Sequence, residues 1–181
     1  PISASTWGLN RKTGVFCEHW KRFFPEKTIH SGFAQVRPMV NQPMLLITID
    51  GPAGAGKTTV SKMLARGLGY RYLDTGALYR AVAVGVRAAG IRPDDDQGLG
   101  GVCDTLRLSV EGNRLVLNGV DITDQIRSPE ISMLASAVSA RPVVRRALLG
   151  IQRDMGRSGG LVAEGRDMGT VVFPDADVKF F

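Results

Sequence analysis

The sequence predicts an α/β fold in which helices cover a parallel β-sheet, and three observations support that prediction. Residues 45–50 form a short run rich in β-branched side chains that ends at a Gly-Pro pair, as is typical of a strand buried on both faces. Residues 58–68 then carry apolar side chains at helical spacing. Further short apolar runs at residues 70–73 and 160–164 each lie beside another helical pattern. Strands that alternate with helices favour a parallel sheet.

The other elements have local signals of their own. Helices are expected to end at the pair Gly67 and Gly69 and at Gly90, because glycine readily adopts the left-handed conformation that closes a helix. Ser128 followed by Pro129 predicts a capped helix start. In chain order, the remaining elements are a helix at 77–89, a helix that follows the acidic link 93–96 and ends near Thr105, a hairpin of residues 106–110 and 114–117, helices from Ser128 to about Val138 and from Pro142 to Met155, and a fourth strand at 177–181.

Composition narrows the class of protein. The 181 residues, 44% hydrophobic and 22% charged, can bury a core, which argues against disorder. The longest apolar run before the glycine-rich turn is residues 44–47, far too short for a membrane span. Cys17 and Cys103 stand far apart with no CxxC neighbour, so neither a disulfide framework nor a zinc site is expected. A reducing, cytoplasmic setting is therefore predicted.

Residues 1–43 differ from the rest of the chain. They hold six basic and two acidic side chains, and so contribute +4 of the net charge of +6. They lack the continuous apolar stretch of a signal peptide and show no lasting periodicity. One interpretation is a poorly ordered leader or an upstream extension, with Met44 as a natural start. The alternative is a basic, aromatic arm that contacts RNA, although no stacking motif supports a nucleic-acid partner.

The glycine-rich turn is the most informative motif. It satisfies G-x-x-x-x-G-K-[ST] between a predicted strand and a predicted helix, the context that a phosphate-binding loop requires. Its residues are Gly51, Pro52, Ala53, Gly54, Ala55, Gly56, Lys57 and Thr58, followed by Thr59. Backbone amides would form an anion cradle, Lys57 would reach the β- and γ-phosphates, and Thr58 would place a hydroxyl at Mg²⁺. Thr59 would contact a further phosphate. A chance glycine-rich turn is the alternative; otherwise the loop predicts binding of a nucleoside triphosphate with Mg²⁺ and leaves the acceptor open.

Two further segments are expected at the same edge of the sheet. Residues 73–80 follow the second strand, and residues 165–174 follow the third. Ligands of open α/β sheets bind beyond the carboxyl ends of the strands, so both segments should lie near the phosphate loop. Taken alone, Asp74 or Thr75 could be a plain helix cap and Arg80 a solvated surface residue.

Taken together, these segments resemble the bacterial cytidylate kinases, a branch of the nucleoside monophosphate kinases. The resemblance runs from about Leu46 to Phe181. Its strongest element is residues 164–176, Glu-Gly-Arg-Asp-Met-Gly-Thr-Val-Val-Phe-Pro-Asp-Ala. The other matching segments, in the family's order and spacing, are residues 49–57, 73–80, 117–123, 126–131, 135–138 and 142–149.

The resemblance implies a P-loop NTPase core with an acceptor-binding insertion at about residues 77–158 that carries the hairpin. It also implies transfer of the γ-phosphoryl group of Mg·ATP to CMP or dCMP, by a monomer and without a membrane or nucleic-acid partner. Lys57 and Arg166 would be catalytic. The residues implied to bind the acceptor are Thr75, Arg80, Ser136, Arg145, Arg166 and Asp167.

The implied roles suit the chemistry of these side chains. Ser136 and Asp167 would contact the exocyclic amine of cytosine, and Arg145 its ring nitrogen and carbonyl. Asp167 would discriminate against uracil, because a carboxylate accepts from an amine but repels a carbonyl. Arg80 and Arg166 would hold the acceptor phosphate. Each side chain alone could equally be an ordinary surface or packing residue.

The match is not complete. Ala53 stands where many members have serine, a change that should matter little because backbone amides form the cradle. Thr75 stands where serine is frequent, and its hydroxyl can do the same work. The family continues beyond the fourth strand into an arginine-bearing lid, so the chain is expected to be a kinase cut off in that strand. Its rivals are a non-catalytic nucleotide-binding fragment of the same family and a P-loop kinase for another acceptor, such as UMP, AMP or shikimate.

Overall fold

The structure is a computed structural model, and it describes residues 44–111 and 114–181. The elements are, in chain order, β1 (Leu46–Asp50), α1 (Lys57–Leu68), β2 (Arg71–Asp74), α2 (Thr75–Ala88), α3 (Asp96–Thr105), β3 (Leu108–Glu111), β4 (Arg114–Leu117), β5 (Val120–Asp121), α4 (Pro129–Ser139), α5 (Pro142–Gly156), β6 (Leu161–Gly165) and β7 (Val178–Phe180). A 3₁₀ turn (Gln125–Arg127) precedes α4, and a π-helical turn (Met168–Val172) follows β6.

Four strands form the main sheet in the order β2-β6-β1-β7, and every neighbouring pair is parallel. The predicted parallel sheet is therefore confirmed. In the register, Asp50 lies opposite Gly165 and Asp74 lies opposite Glu164, so the carboxyl ends of three strands meet at one rim. The phosphate loop and the segment after β6 both leave the sheet at this rim.

Local signals explain where the helices begin and end. The Ser128 hydroxyl accepts a hydrogen bond from the Ile131 amide at 3.2 Å, as the predicted cap requires. Gly69 ends α1 in the left-handed conformation, with φ of 68°. Helix α2 begins at Thr75 rather than at residue 77, because the Asp74 carboxylate accepts from the Ala77 amide at 3.1 Å and caps the helix earlier.

A smaller antiparallel sheet, in the order β3-β4-β5, carries the predicted hairpin. The predicted turn between its strands includes Gly112 and Asn113, which lie outside the described residues. Strand β5 was not predicted, because two residues are too few to show an alternation. A turn at Asn118 and Gly119, with φ of 50° and 82°, brings β5 back onto β4.

Hydrophobic side chains pack on both faces of the main sheet. The larger cluster joins Leu73 and Leu161 of the sheet with Leu99 of α3, Ile131 of α4 and Leu148 of α5. The smaller cluster, which includes Ile47, Ile49, Ala65 and Val162, lies between the sheet and α1. Residues 77–158 thus share their main core with the sheet. Among the described helices, none is long and apolar enough to cross a membrane.

Candidate active site at the carboxyl rim of the sheet

The phosphate loop joins β1 to α1 in the strand–loop–helix arrangement that its motif predicts. Gly54 and Gly56 have φ of 77° and 78°, a backbone conformation that residues other than glycine rarely adopt. Because the first N–H groups of a helix have no acceptor within the helix, the start of α1 presents donors to an anion. The Lys57 ammonium donates to the Pro52 carbonyl at 2.6 Å, so its charge is held over the loop.

Glu164, at the end of β6, meets the phosphate loop. The Thr58 hydroxyl donates to Glu164 Oε1 at 2.7 Å, although the two residues are 106 positions apart. Glu164 is 4% exposed, and its second oxygen, Oε2, is buried without a hydrogen-bond partner. This orphaned carboxylate oxygen beside a hydroxyl is a donor set that suits Mg²⁺. In the described part of the chain, no group of three or more His, Cys, Asp or Glu side chains is arranged to hold a metal ion, so phosphates and water would complete such a coordination shell.

Sequence reasoning missed Glu164 as a site residue. In the sequence, Glu164 is only the last residue of a predicted strand and the first of a motif. The pairing of β6 with β1 and β2 brings it to Thr58. The sequence does hold one signal: Glu164 ends a strand that otherwise holds only apolar residues. Because a carboxylate is rarely buried unless it has a partner, an acidic residue in such a strand indicates a functional contact.

Tyr72 of β2 lies beside this pair. Its buried hydroxyl faces the Glu164 carboxylate without forming a hydrogen bond of ordinary geometry. Burial raises the pKa of Tyr72, and the negative charges of Asp74 and Glu164 raise it further, so the phenol stays protonated. Tyr72 is a second residue of this rim that was not predicted.

Asp50 connects the phosphate loop to the segment after β6. Its carboxylate accepts hydrogen bonds from the Met168 and Gly169 amides, both at 2.8 Å, and it is 8% exposed. Asp50 immediately precedes Gly51, so these bonds hold the backbone around Asp167 against the start of the loop. This positioning role was not predicted either.

Arg145 and Asp167, both predicted to bind the acceptor base, form an ion pair. Helix α5 supplies the arginine, and the backbone after β6 supplies the aspartate. Tyr79 of α2 lies close enough to feel both charges: burial raises its pKa, the Arg145 cation lowers it and the Asp167 carboxylate raises it. Tyr79 therefore lies within electrostatic range of the pair, which the sequence did not predict.

The other predicted acceptor residues have different surroundings. Arg80 is ion-paired with Asp74 at 2.9 Å, and so is not simply solvated. Thr75 is 3% exposed and donates to the Glu164 carbonyl at 2.7 Å, so its one hydroxyl hydrogen must leave that carbonyl before it can reach a phosphate. Ser136 and Arg166 are exposed, and no described contact joins either of them to the other predicted residues.

A parallel sheet with a glycine-rich G-x-x-x-x-G-K-T loop at its carboxyl rim defines the P-loop class of α/β protein. Comparison with known proteins identifies the branch. The sequence profile of the cytidylate kinase family, described as "Cytidylate kinase", matches residues 47–181. The chain belongs to the cytidylate kinase family.

Individual relatives agree with this assignment. A cytidylate kinase of Geobacter sulfurreducens is 56% identical over 141 residues, which cover 76% of this chain and 60% of the relative. A cytidylate kinase of Symbiobacterium thermophilum is 46% identical over 142 residues, 76% of this chain and 63% of the relative. A bifunctional pantoate ligase/cytidylate kinase of a Synechococcus species is 48% identical over 148 residues, 79% of this chain and 30% of the relative. The chain thus spans less than two thirds of the length of the relatives it matches.

Proposed function

We propose that this chain carries the donor and acceptor sites of an ATP-dependent kinase that phosphorylates CMP or dCMP. The observation that supports the proposal most directly is the junction made by Asp50. The phosphate loop and the Arg145–Asp167 pair differ in chemistry, and the Asp50 carboxylate, which precedes the loop, accepts hydrogen bonds from the Met168 and Gly169 amides, which follow Asp167. Such a junction brings a phosphoryl donor to an acceptor.

The donor side would act through charge and position. Lys57, held over the loop, would neutralise the phosphates of ATP as the transferred group moves. Thr58 and Glu164 would hold Mg²⁺, whose charge, when it is bound, further neutralises the β- and γ-phosphates. The N–H groups at the start of α1 would receive the phosphate oxygens.

The acceptor side would orient CMP. Asp167 would accept from the exocyclic amine of cytosine, with Arg145 and Ser136 contacting the rest of the base edge, and Tyr79 would cover the ring. Arg80 and Arg166 would bind the acceptor phosphate, and Thr75 lies at the start of the same helix as Arg80. An oxygen of that phosphate would form a bond to the γ-phosphorus of ATP as the bond to the β–γ bridging oxygen breaks, which leaves CDP or dCDP and ADP. No covalent enzyme intermediate is needed.

The experiment measures nucleotide binding by calorimetry and ADP release in the same preparation. Binding distinguishes the acceptors even if turnover is absent, which keeps the non-catalytic fragment apart from a kinase of different specificity. CMP or dCMP should bind more tightly than UMP, AMP or shikimate, and Asp167→Ala should abolish that preference. Asp175→Ala, an exposed carboxylate of the same segment, is the matched control.

Two results would contradict the proposal. One is equal affinity for CMP and UMP in the unmodified chain. The other is ATP binding whose stoichiometry and affinity are both unchanged by Lys57→Ala. A monomeric state, a cytoplasmic location and the absence of a nucleic-acid partner remain predictions, to be checked by sedimentation, localisation and RNA-binding assays respectively.

A further inference from the structure

A cavity lies apart from the phosphate loop. It encloses about 610 Å³ and is lined by the later turns of α1, by β2, by the start of β6 and by residues of the inserted elements. Arg71 and Leu161, which face each other in the register, are the first residues of their strands, and both line it. The cavity therefore reaches the amino ends of the strands, whereas the phosphate loop follows the carboxyl end of β1.

The lining is strongly basic and contains no carboxylate. The cations that line it are Lys62, Arg66, Arg71 and Arg127. Within residues 44–111 and 114–181, none of the four forms an ion pair with a carboxylate. Arg71 donates instead to neutral acceptors, the Ser158 hydroxyl at 2.7 Å and the Gly159 carbonyl at 3.1 Å. The Lys62 ammonium lies 5.4 Å from the centre of the Tyr72 ring.

Four cations that have no ion-paired carboxylate among the described residues repel one another around this cavity, and a bound anion would relieve that repulsion. Guanidinium groups suit phosphate oxygens because they can donate two parallel hydrogen bonds. The volume falls within the range of small-molecule sites. Tyr70 and Tyr72 add two aromatic rings to the lining, against which a base could stack.

We propose that this cavity is a second ligand site, which binds a polyphosphate anion. The polyphosphate chain is the shared chemistry, and it could come from a nucleoside triphosphate or from free inorganic polyphosphate. The site is separate from the phosphate loop, although one of its lining residues, Tyr72, also faces Glu164.

The test uses the full chain with Lys57→Ala, which weakens the phosphate loop, and titrates inorganic tripolyphosphate and ATP by calorimetry at low salt. Adding Arg66→Gln and Arg127→Gln should weaken tripolyphosphate binding by about tenfold or more, because two charge-assisted contacts are lost. Both side chains are exposed, so the fold should survive. Arg92→Gln with Arg157→Gln removes the same net charge at exposed positions outside the cavity and should change the affinity by about twofold or less.

The outcomes separate cleanly. Tighter binding of ATP than of tripolyphosphate supports the proposal and assigns the base to the tyrosines, and the reverse order supports it with a free polyphosphate as ligand. Equal losses in the cavity variant and the control variant would overturn it. Binding of poly-glutamate as tight as that of tripolyphosphate, and equally sensitive to the cavity variant, would overturn it in favour of an acidic peptide. None of these measurements uses phosphoryl transfer, so the result is independent of the proposed kinase activity.

Discussion

At the scale of single residues, buried carboxylates organise this rim. Asp50 and Glu164 are both buried, but their hydrogen bonding differs. The Asp50 carboxylate accepts hydrogen bonds from two backbone amides, whereas one oxygen of Glu164 has no partner among the described residues. A buried carboxylate with its hydrogen bonds made stabilises a fold, and one with an orphaned oxygen costs stability. The first arrangement is that of a structural contact, and the second leaves an acceptor oxygen available for the Mg²⁺ of the proposed function.

Replacing Asp50 with Asn should therefore destabilise the fold. The amide side chain has one acceptor oxygen, and its NH₂ group would face the second backbone N–H, donor against donor. The expected loss is about 1–3 kcal/mol in the free energy of unfolding, measured by urea denaturation. Asp175→Asn, at an exposed position, should have almost no effect. Equal stabilities of the two variants would show that the amide contacts contribute nothing.

Replacing Glu164 with Gln should leave the stability of the fold intact and should weaken Mg²⁺ binding at this site. Its remaining oxygen can still accept from Thr58, and the buried charge is gone, so the fold should be at least as stable as before. The Mg²⁺ concentration that supports half-maximal ADP release should rise by about 10- to 100-fold, as is usual when a metal-site carboxylate contact is lost. Glu130→Gln, which affects only a surface pair with Arg87, is the control. An unchanged Mg²⁺ dependence would remove Glu164 from the metal site.

At the scale of elements, the end of α5 packs closely against the Phe173 ring, which follows the π-helical turn, and two glycines of α5 test how tight this packing is. A Cβ atom added at Gly156 would collide with the Phe173 ring, whereas one added at Gly150 on the same helix would meet open space. Alanine is the better helix former by about 1 kcal/mol, so Gly150→Ala should raise the free energy of unfolding. Gly156→Ala should lower it, because the buried ring must move. If both substitutions raised the free energy of unfolding, the Phe173 ring would be able to move aside without cost.

The starts of α3 and α5 are joined by a pH-sensitive pair. Arg141 donates twice to Asp96, at 2.8 Å to each oxygen, and these bonds lower the pKa of the aspartate from its ordinary 3.8. A lowered pKa contributes stability that is present above the ordinary value and is lost as the pH falls through the folded one. Asp96→Asn should thus lower the unfolding midpoint at neutral pH and make no difference at about pH 2. A difference that persists in acid would assign the effect to helix capping.

Most boundaries of the elements could be predicted, because they depend on neighbouring residues. Ser128 needs only the amide three positions on to cap α4, and Gly69 needs only its own backbone freedom to end α1. Strand β5 and the π-helical turn could not be predicted. Both are held by contacts with distant segments, β5 by β4 and the turn by Asp50.

At the scale of the whole molecule, one hydrophobic cluster joins the sheet to residues 77–158. Residues 77–158 therefore cannot lose their core without disturbing the sheet. Leu99 of α3 and Leu148 of α5, both 0% exposed, are buried in the insertion, while Leu161 belongs to the sheet.

Truncating Leu99 or Leu148 to Ala should cost about 2–5 kcal/mol and should weaken amide-exchange protection in β6 as much as in α5. Met133→Ala, at a side chain that is 75% exposed, is the control and should change little. Loss of protection in α5 alone would show that the insertion unfolds as a separate unit.

The phosphate loop, the alternation of strands and helices, and the resemblance to the family could all be found in the sequence alone, because each depends on short segments whose spacing along the chain carries the information. The partners within the rim could not. Glu164 meets Thr58 across 106 residues, Asp50 meets Met168 across 118, and Arg145 pairs with Asp167 across 22. Those distances depend on strand order and register in the sheet, which the packing of the whole core decides, and a residue's own neighbours carry no record of them.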